Sequence, residues 1–358
     1  MLKIIFLADC ISTQQAGIFI YAKNLVRKFL EEYPDNDYSL ITSKKIDEFS
    51  IRQIVVPVND RIPFHFRFRQ LVQIPRIVNR LNPDLVIELA HFGPFFFFLE
   101  IKRVTVIHEL TPLSHPAWHP FASVIFHRLL IGGIIRRADY IITNSRQTKN
   151  DIVRRFQKPD EKIVISLPYL DDLLLKDPET ASYSSSGNYF LTVGTIEPRK
   201  NQSTIIRAFD KFCTVNDQYR LVIVGGDGWK NREFYDALKR SPNRNKITVT
   251  GFLPRAALID RYRNAKAFIF ASFYEGFGLS ILEASYFSLP LVLSQNESVP
   301  SWFKERALLF EPTDYLQLHA YLIELVQNRD NWEKWQQKSR EANMSFRGEQ
   351  SELGKILK

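Results

Sequence analysis

Short runs that are apolar at nearly every position recur along the chain, and most lead through a turn into apolar residues at helical spacing. The first is Lys3–Ala8, and others are read at Tyr38–Thr42, Ile54–Val58, Leu85–Ile87, Val104–Ile107, Tyr140–Thr143 and Ile163–Ser166. Strands buried on both faces read this way, and such strands belong to parallel sheets whose crossovers are helices. The pattern then restarts at Tyr189–Val193, Arg220–Val224, Ile247–Thr250, Ala267–Ala271 and Leu291–Leu293. Between the two series lie Asp171-Asp172, Lys176-Asp177-Pro178-Glu179 and Ser182–Gly187, a polar stretch with the Ser, Pro and Gly content of a linker. An α/β chain of two doubly wound domains is therefore predicted: residues 1–170, a linker over 171–187, a second domain over 188–343, and a C-terminal segment over 344–358. At 358 residues with 45% hydrophobic content the chain can bury two such cores.

Doubly wound sheets bind ligands at the carboxyl ends of their strands, so the loops there carry the functional reading. The richest is Glu275-Gly276-Phe277-Gly278-Leu279-Ser280-Ile281-Leu282-Glu283. It turns from a strand into a helix whose first N–H groups lack intrahelical partners and whose dipole is positive, and its glycines let backbone approach an anion. Glu275 stands before that helix and Glu283 about a turn inside it, which suits a hydroxyl-rich ligand with phosphates between. The ordinary alternative is a glycine turn whose carboxylate merely complements the dipole. After Tyr189–Val193 comes Gly194-Thr195-Ile196-Glu197-Pro198-Arg199-Lys200-Asn201. Arg199 as a bidentate fork and Lys200 as a point charge suit a diphosphate, against the plain reading of solvated loop charges. Gly225-Gly226-Asp227-Gly228 is either a simple turn or a second backbone approach to the ligand. In the first domain, the Ser12–Gly17 loop offers Gly17, and His108 ends the strand Val104–Ile107 at the ligand edge.

Other features narrow the function. Cys10 and Cys213 are the only cysteines, so no disulfide framework is indicated and a reducing cytosol fits. No signal peptide is read in the opening run, which Asp9 stops. No membrane span is read either: Val124–Ile135 is broken by His127-Arg128 and Phe95–Leu99 ends at Glu100, short of the roughly 20 residues required. Six of the seven histidines fall between His65 and His127, but His115 and His119 enclose Pro116 and lack the flanking Glu of a zinc helix, so no metal site is expected. Asp35-Asn36-Asp37 follows Pro34 and precedes a strand, and reads as a turn. Residues 51–150 carry 13 Lys and Arg against 6 Asp and Glu, most of the net charge of +9. The mixed run Pro63-Phe64-His65-Phe66-Arg67-Phe68-Arg69 favours an anionic lipid surface over nucleic acid, with an ordinary amphipathic segment as the alternative.

The pair Glu275 and Glu283 with Gly-Phe-Gly between resembles the nucleotide-sugar motif of retaining glycosyltransferases of family four. That resemblance extends along nearly the whole chain and is strongest from Tyr189 to Pro312. It implies the GT-B fold, two Rossmann-like domains with the donor in an interdomain cleft, and a C-terminal segment crossing back to the first domain. It implies that Glu275 contacts the donor sugar, Glu283 the ribose hydroxyls, and the Gly276, Phe277, Gly278 and Leu279 turn the phosphates. Leu253, in Gly251–Pro254, would read the nucleobase through its backbone. His108 would meet the donor sugar, Glu109–Pro120 being similar to the family's interdomain loop. No cofactor and no metal is implied beyond a nucleotide-sugar substrate. The expected reaction is transfer of a hexose such as mannose or rhamnose, with retention, to a saccharide or lipid-linked saccharide in cell-surface polysaccharide synthesis. The expected location is cytoplasmic, peripheral at the inner face of the membrane. The chain departs from the family pattern at Ala16, Glu109, Thr195 and Ser288. A non-catalytic nucleotide-sugar-binding protein and a sugar-nucleotide epimerase of the same fold are the alternatives; a phosphorylase would be longer and need a cofactor lysine.

Overall fold

The computed structural model describes residues 1–13, 17–59, 61–62, 65–92, 101–168, 170, 187–347 and 352–357. The chain divides into two compact units. One comprises Met1–Ser114, Phe121–Tyr169 and Gln350–Lys358; the other comprises His115–Pro120 and Leu170–Glu349. The expected linker residues 171–186 and the Phe95–Leu99 run lie outside the described residues, as do Ala16, Pro63 and Phe64.

In the first unit seven parallel strands lie in the order β3-β2-β1-β4-β5-β6-β7. They are β1 Lys3–Leu7, β2 Asp37–Thr42, β3 Arg52–Val55, β4 Leu85–Glu88, β5 Lys102–Ile107, β6 Tyr140–Thr143 and β7 Ile163–Ile165. Alternation along β1 sends Ile4 and Phe6 to one face and Ile5 and Leu7 to the other, and both faces are covered. Phe6 packs with Val26 and Phe29 of helix Gly17–Glu32 and with Leu353 and Ile356 from the end of the chain. Ile5 and Leu7 pack with Ile74 and Val78 of helix Ile74–Leu81 and with Ile134. Each such side chain, fully buried, stabilises the fold by about 1.5–3 kcal/mol relative to exposure.

The second unit holds six parallel strands in the order β10-β9-β8-β11-β12-β13. These are β8 Tyr189–Val193, β9 Arg220–Val224, β10 Ile247–Val249, β11 Ala267–Phe270, β12 Leu291–Ser294 and β13 Leu308–Phe310. One core joins Phe190, Ile223, Ile269 and Val292 of the sheet to Ile205, Phe209 and Phe212 of helix Gln202–Cys213 and to Leu318 and Leu322 of helix Tyr315–Gln327. The direction of strand progression reverses between β1 and β4 in one sheet and between β8 and β11 in the other, the places where such sheets open a ligand crevice.

Several expectations change. A short helix, Asp9–Thr13, replaces the start of the loop read after β1. Strand β3 sits earlier than Ile54–Val58. A π-helical turn, Arg69–Gln73, runs into helix Ile74–Leu81, with Pro75 in the first turn, where a missing N–H costs no intrahelical bond. Arg69 does not face lipid. Its guanidinium is fully buried, donating to Asp9 Oδ1 at 2.8 Å and also to Asp9 Oδ2 and the Val56 carbonyl. A carboxylate at the end of β1 is costly to bury alone, and this bidentate partner neutralises it. The side chain of Arg67 lies outside the description. Pro34–Asn36 is the turn expected before β2.

Candidate active site

At the carboxyl edge of the second sheet, neighbouring loops are tied by their backbones. Gly194 N–H donates to the Val224 carbonyl at 2.9 Å, Ile196 to Gly226 at 3.0 Å, and Gly228 to Ile196 at 3.1 Å. A Cβ at Gly225 would lie 2.0 Å from the Gly194 carbonyl oxygen, so only glycine allows this approach. Gly225–Gly228 is thus packed against the loop after β8. The Phe252 ring covers Gly226 and remains 56% exposed, and Leu253 follows it in the loop after β10.

From the β8 loop, Arg199 and Lys200 converge on Glu275 from the β11 loop. Arg199 Nη1 donates to Glu275 Oε2 at 2.5 Å and to the Tyr274 carbonyl at 3.0 Å, while Nη2 donates to Glu197 Oε1 at 2.6 Å. Lys200 Nζ reaches the other Glu275 oxygen at 2.5 Å. The backbones are joined as well, Phe273 N–H donating to the Arg199 carbonyl at 2.9 Å, and Glu275 N–H to Ser298 Oγ at 2.9 Å. Burial alone would push the Glu275 pKa up, but Arg199 and then Lys200 outweigh it and hold the carboxyl down at about 2. Glu275 is thus a fixed anion. Arg199 is buried with its fork spent on protein acceptors, whereas the Lys200 ammonium, partly exposed, pairs with the other Glu275 oxygen. Glu197 and Ser298 were not singled out from the sequence; the Glu-Pro-Arg-Lys order held the signal for the first.

Helix Leu279–Tyr286 begins directly after Gly278, whose φ of +87° is disfavoured for other residues. Gly276 and Phe277 lead into this start, so the positive end of the helix is beside Glu275 in sequence and fold. Glu283 lies within the helix and is buried, with Tyr262 Oη donating to Oε2 at 2.8 Å and Arg255 Nη1 paired with Oε1 at 2.8 Å. Neither partner was expected. In the same unit, the Pro116–Trp118 turn packs aromatic rings beside this region. His115 stacks on Trp118 at 4.1 Å between centroids, Trp118 on Phe273 at 5.9 Å, and Trp229 Nε1 donates to the Trp118 carbonyl at 2.6 Å.

Gly17 and His108 belong to the first unit. Gly17 opens helix Gly17–Glu32, with no protein atom within 4 Å of where a Cβ would stand. His108 follows β5 and is buried, its Nε2–H directed at the Leu89 carbonyl at 3.0 Å and its ring edge-on to Tyr21 at 5.1 Å. His91 Nε2 accepts the His108 backbone N–H at 2.8 Å. Burial lowers the His108 pKa to about 4, so it is a neutral ring at pH 7. Among the described residues no group of three or more His, Cys, Asp or Glu could hold a metal ion.

Residues 177–342 match the family described as Glycosyl transferases group 1, and residues 17–167 match Glycosyltransferase Family 4. The chain is 27% identical to O-antigen chain mannosyltransferase B of Escherichia coli over 354 residues, covering 92% of each chain. It is 26% identical over 259 residues to the serotype-specific mannosyltransferase WbdA of Escherichia coli, covering 65% of this chain and 32% of that longer protein. Among solved structures, Anabaena Alr3699/HepE in complex with UDP and glucose superposes with a TM-score of 0.73 at 16% identity, covering 100% of this chain and 98% of that one.

Proposed function

We propose that the chain, a family-four glycosyltransferase of the GT-B fold acting in cell-surface polysaccharide synthesis, transfers mannose, with retention, from a nucleotide donor to a lipid-linked saccharide. One observation carries the reading: a buried carboxylate and a partly exposed ammonium meet at the positive end of a helix, at the reversal point of a parallel sheet. As the bond from sugar C1 to the diphosphate breaks, negative charge grows on the phosphate oxygen and positive charge on the sugar ring. Lys200 and the helix start stabilise the first, and the Glu275 anion stabilises the second while accepting hydrogen bonds from sugar hydroxyls. The acceptor oxygen bonds to C1 on the face the diphosphate leaves, and its proton passes to the departing phosphate. Arg199 holds Glu275, Glu283 takes the ribose, and Leu253 the base. In the first unit, Gly17 and His108 are the candidate ligand contacts, the one through its backbone and the other through a neutral ring.

Because cations of the chain supply the charge, the transfer needs no metal. Incubation with GDP-mannose, UDP-glucose and UDP-N-acetylglucosamine plus a mannosylated lipid acceptor should release nucleoside diphosphate from the mannose donor, unaffected by EDTA, and NMR should find an α-anomeric product. Loss of turnover with EDTA restored by Mn²⁺ would overturn metal independence; absence of transfer from every donor would return the non-catalytic alternative.

A further inference from the structure

A single helix follows the Pro116–Trp118 turn. It runs as Phe121–Phe126, widens into a π-helical turn at His127–Ile131, and continues as Gly132–Arg137. Its inner side is fixed, with Ile134 packed against Ile5 and Val86 and with Ile131 and Ile135 against Ile107. The outer side is apolar where solvent should favour polar groups. Phe121 is 79% exposed, Leu129 73%, Phe126 42% and Ile125 37%. Phe121, Ile125 and Leu129 are four apart, so they form a stripe along one face. Single exposed apolar side chains are ordinary on proteins; a stripe of this kind marks a surface that meets something apolar.

Charge identifies the partner. No Asp or Glu occurs between Glu109 and Asp139, while Arg128, Arg136 and Arg137 are all exposed on the same helix. Apolar side chains interleaved with cations and no anion complement the phosphates and acyl region of an anionic bilayer. A second element on the same face of the sheet agrees: Phe68 and Leu71, in the helical stretch leading into Ile74–Leu81, are 50% and 44% exposed. Crossover helices run antiparallel to the strands they join, so Phe121 at the helix start lies toward the carboxyl edge of the first sheet. We infer that this helix docks the protein on an anionic membrane surface, with Phe121, Ile125 and Leu129 entering the interfacial layer and the arginines meeting lipid phosphates. Docking would bring that edge to a lipid-linked acceptor, but binding to vesicles is independent of any acceptor.

The full chain should sediment with vesicles of phosphatidylcholine and phosphatidylglycerol in equal parts, bind phosphatidylcholine alone far less, and be released by salt. Replacing both Phe121 and Leu129 by Glu should lower partition at least about tenfold. Because both side chains are exposed, the thermal midpoint and nucleoside diphosphate affinity should not change. Arg128→Glu with Arg136→Glu should weaken binding to the anionic vesicles alone. Equal partition of the Phe121 and Leu129 variant overturns the inference, as does absence of binding at low salt. A dimer that this variant converts to monomer, with no vesicle binding, would assign the stripe to self-association instead.

Discussion

Arg199 and Lys200 are neighbours in sequence but are held differently. Arg199 spans Glu197, the Tyr274 carbonyl and Glu275, while the Lys200 ammonium donates to the second Glu275 oxygen. Lys200→Met should therefore weaken nucleoside diphosphate affinity about tenfold, the size of one charge-assisted hydrogen bond. Arg199→Lys should leave that affinity within about twofold yet lower kcat, since a point charge cannot replace the fork that orients Glu275. It should also raise the acid limb of the kcat profile, because burial pushes the Glu275 pKa up once the guanidinium is gone. Calorimetry beside turnover decides, and equal loss of diphosphate affinity in both variants would return Arg199 to the phosphates. Glu283→Gln should weaken bare nucleotide and lower the melting midpoint, because Arg255 would lose its buried carboxylate partner; unchanged nucleotide affinity would remove Glu283 from the ribose. The residue types of this site were legible in the sequence from spacing and chemistry. Which cation serves the carboxylate was not, since adjacent residues in a turn can point to different partners, and Arg255 and Tyr262 reach Glu283 only through the fold.

Strand ends place the titratable groups, and β4 gives the sharpest case. Glu88 closes that strand buried, its Oε1 accepting the Ala90 N–H at 2.9 Å. Burial, with a smaller push from Asp9, raises its pKa from 4.5 to about 8 against the opposing Ala90 hydrogen bond. Between those values the folded chain keeps a proton that the unfolded chain has lost, so stability falls as pH rises through the window, by up to about 1.4 kcal/mol per pH unit. Glu88→Gln mimics the protonated form. Its melting midpoint should exceed that of the unsubstituted protein at pH 8 and match it near pH 5; an equal difference at both would mean Glu88 is ionised throughout. Elements as such were legible: β6, β8 and β9 fall where the apolar runs place them. The misplacement of β3 has a local cause. Val56 still donates to the Thr42 carbonyl, but Pro57 has no N–H to extend the ladder, so Val56-Pro57-Val58 is apolar without being strand. Strand β13 went unread because three residues show no period, and the π-helical turns have no signature in residue type.

Two doubly wound sheets were legible at the scale of the molecule because the strand–turn–helix pattern starts twice, whereas their strand orders came only with the structure. The membership of short segments was not, since His115–Pro120 carries no pattern that assigns it to the second unit rather than the first. The end of the chain shows no pattern of its own, for Leu353 and Ile356 are too few to show a period. In the structure both are fully buried in the core beneath β1, Ile165 N–H donates to Glu352 at 3.1 Å, and Lys102 Nζ donates to the Ile356 carbonyl at 2.8 Å. This short helix therefore completes the first unit, while Arg199, Lys200, Glu275 and Glu283 all lie in the second. Replacing Leu353 and Ile356 together by Ala should cost about 4 kcal/mol or more, since each buried truncation removes transfer energy and leaves a cavity. For a unit of this size that lowers its unfolding midpoint by roughly 10 °C. Nucleoside diphosphate affinity, measured below that midpoint, should stay unchanged, because the side chains of the candidate phosphate site belong to the second unit. If affinity fell with stability, the nucleotide site would depend on the first unit's packing; if neither moved, Leu353 and Ile356 would not be holding the first sheet's core together.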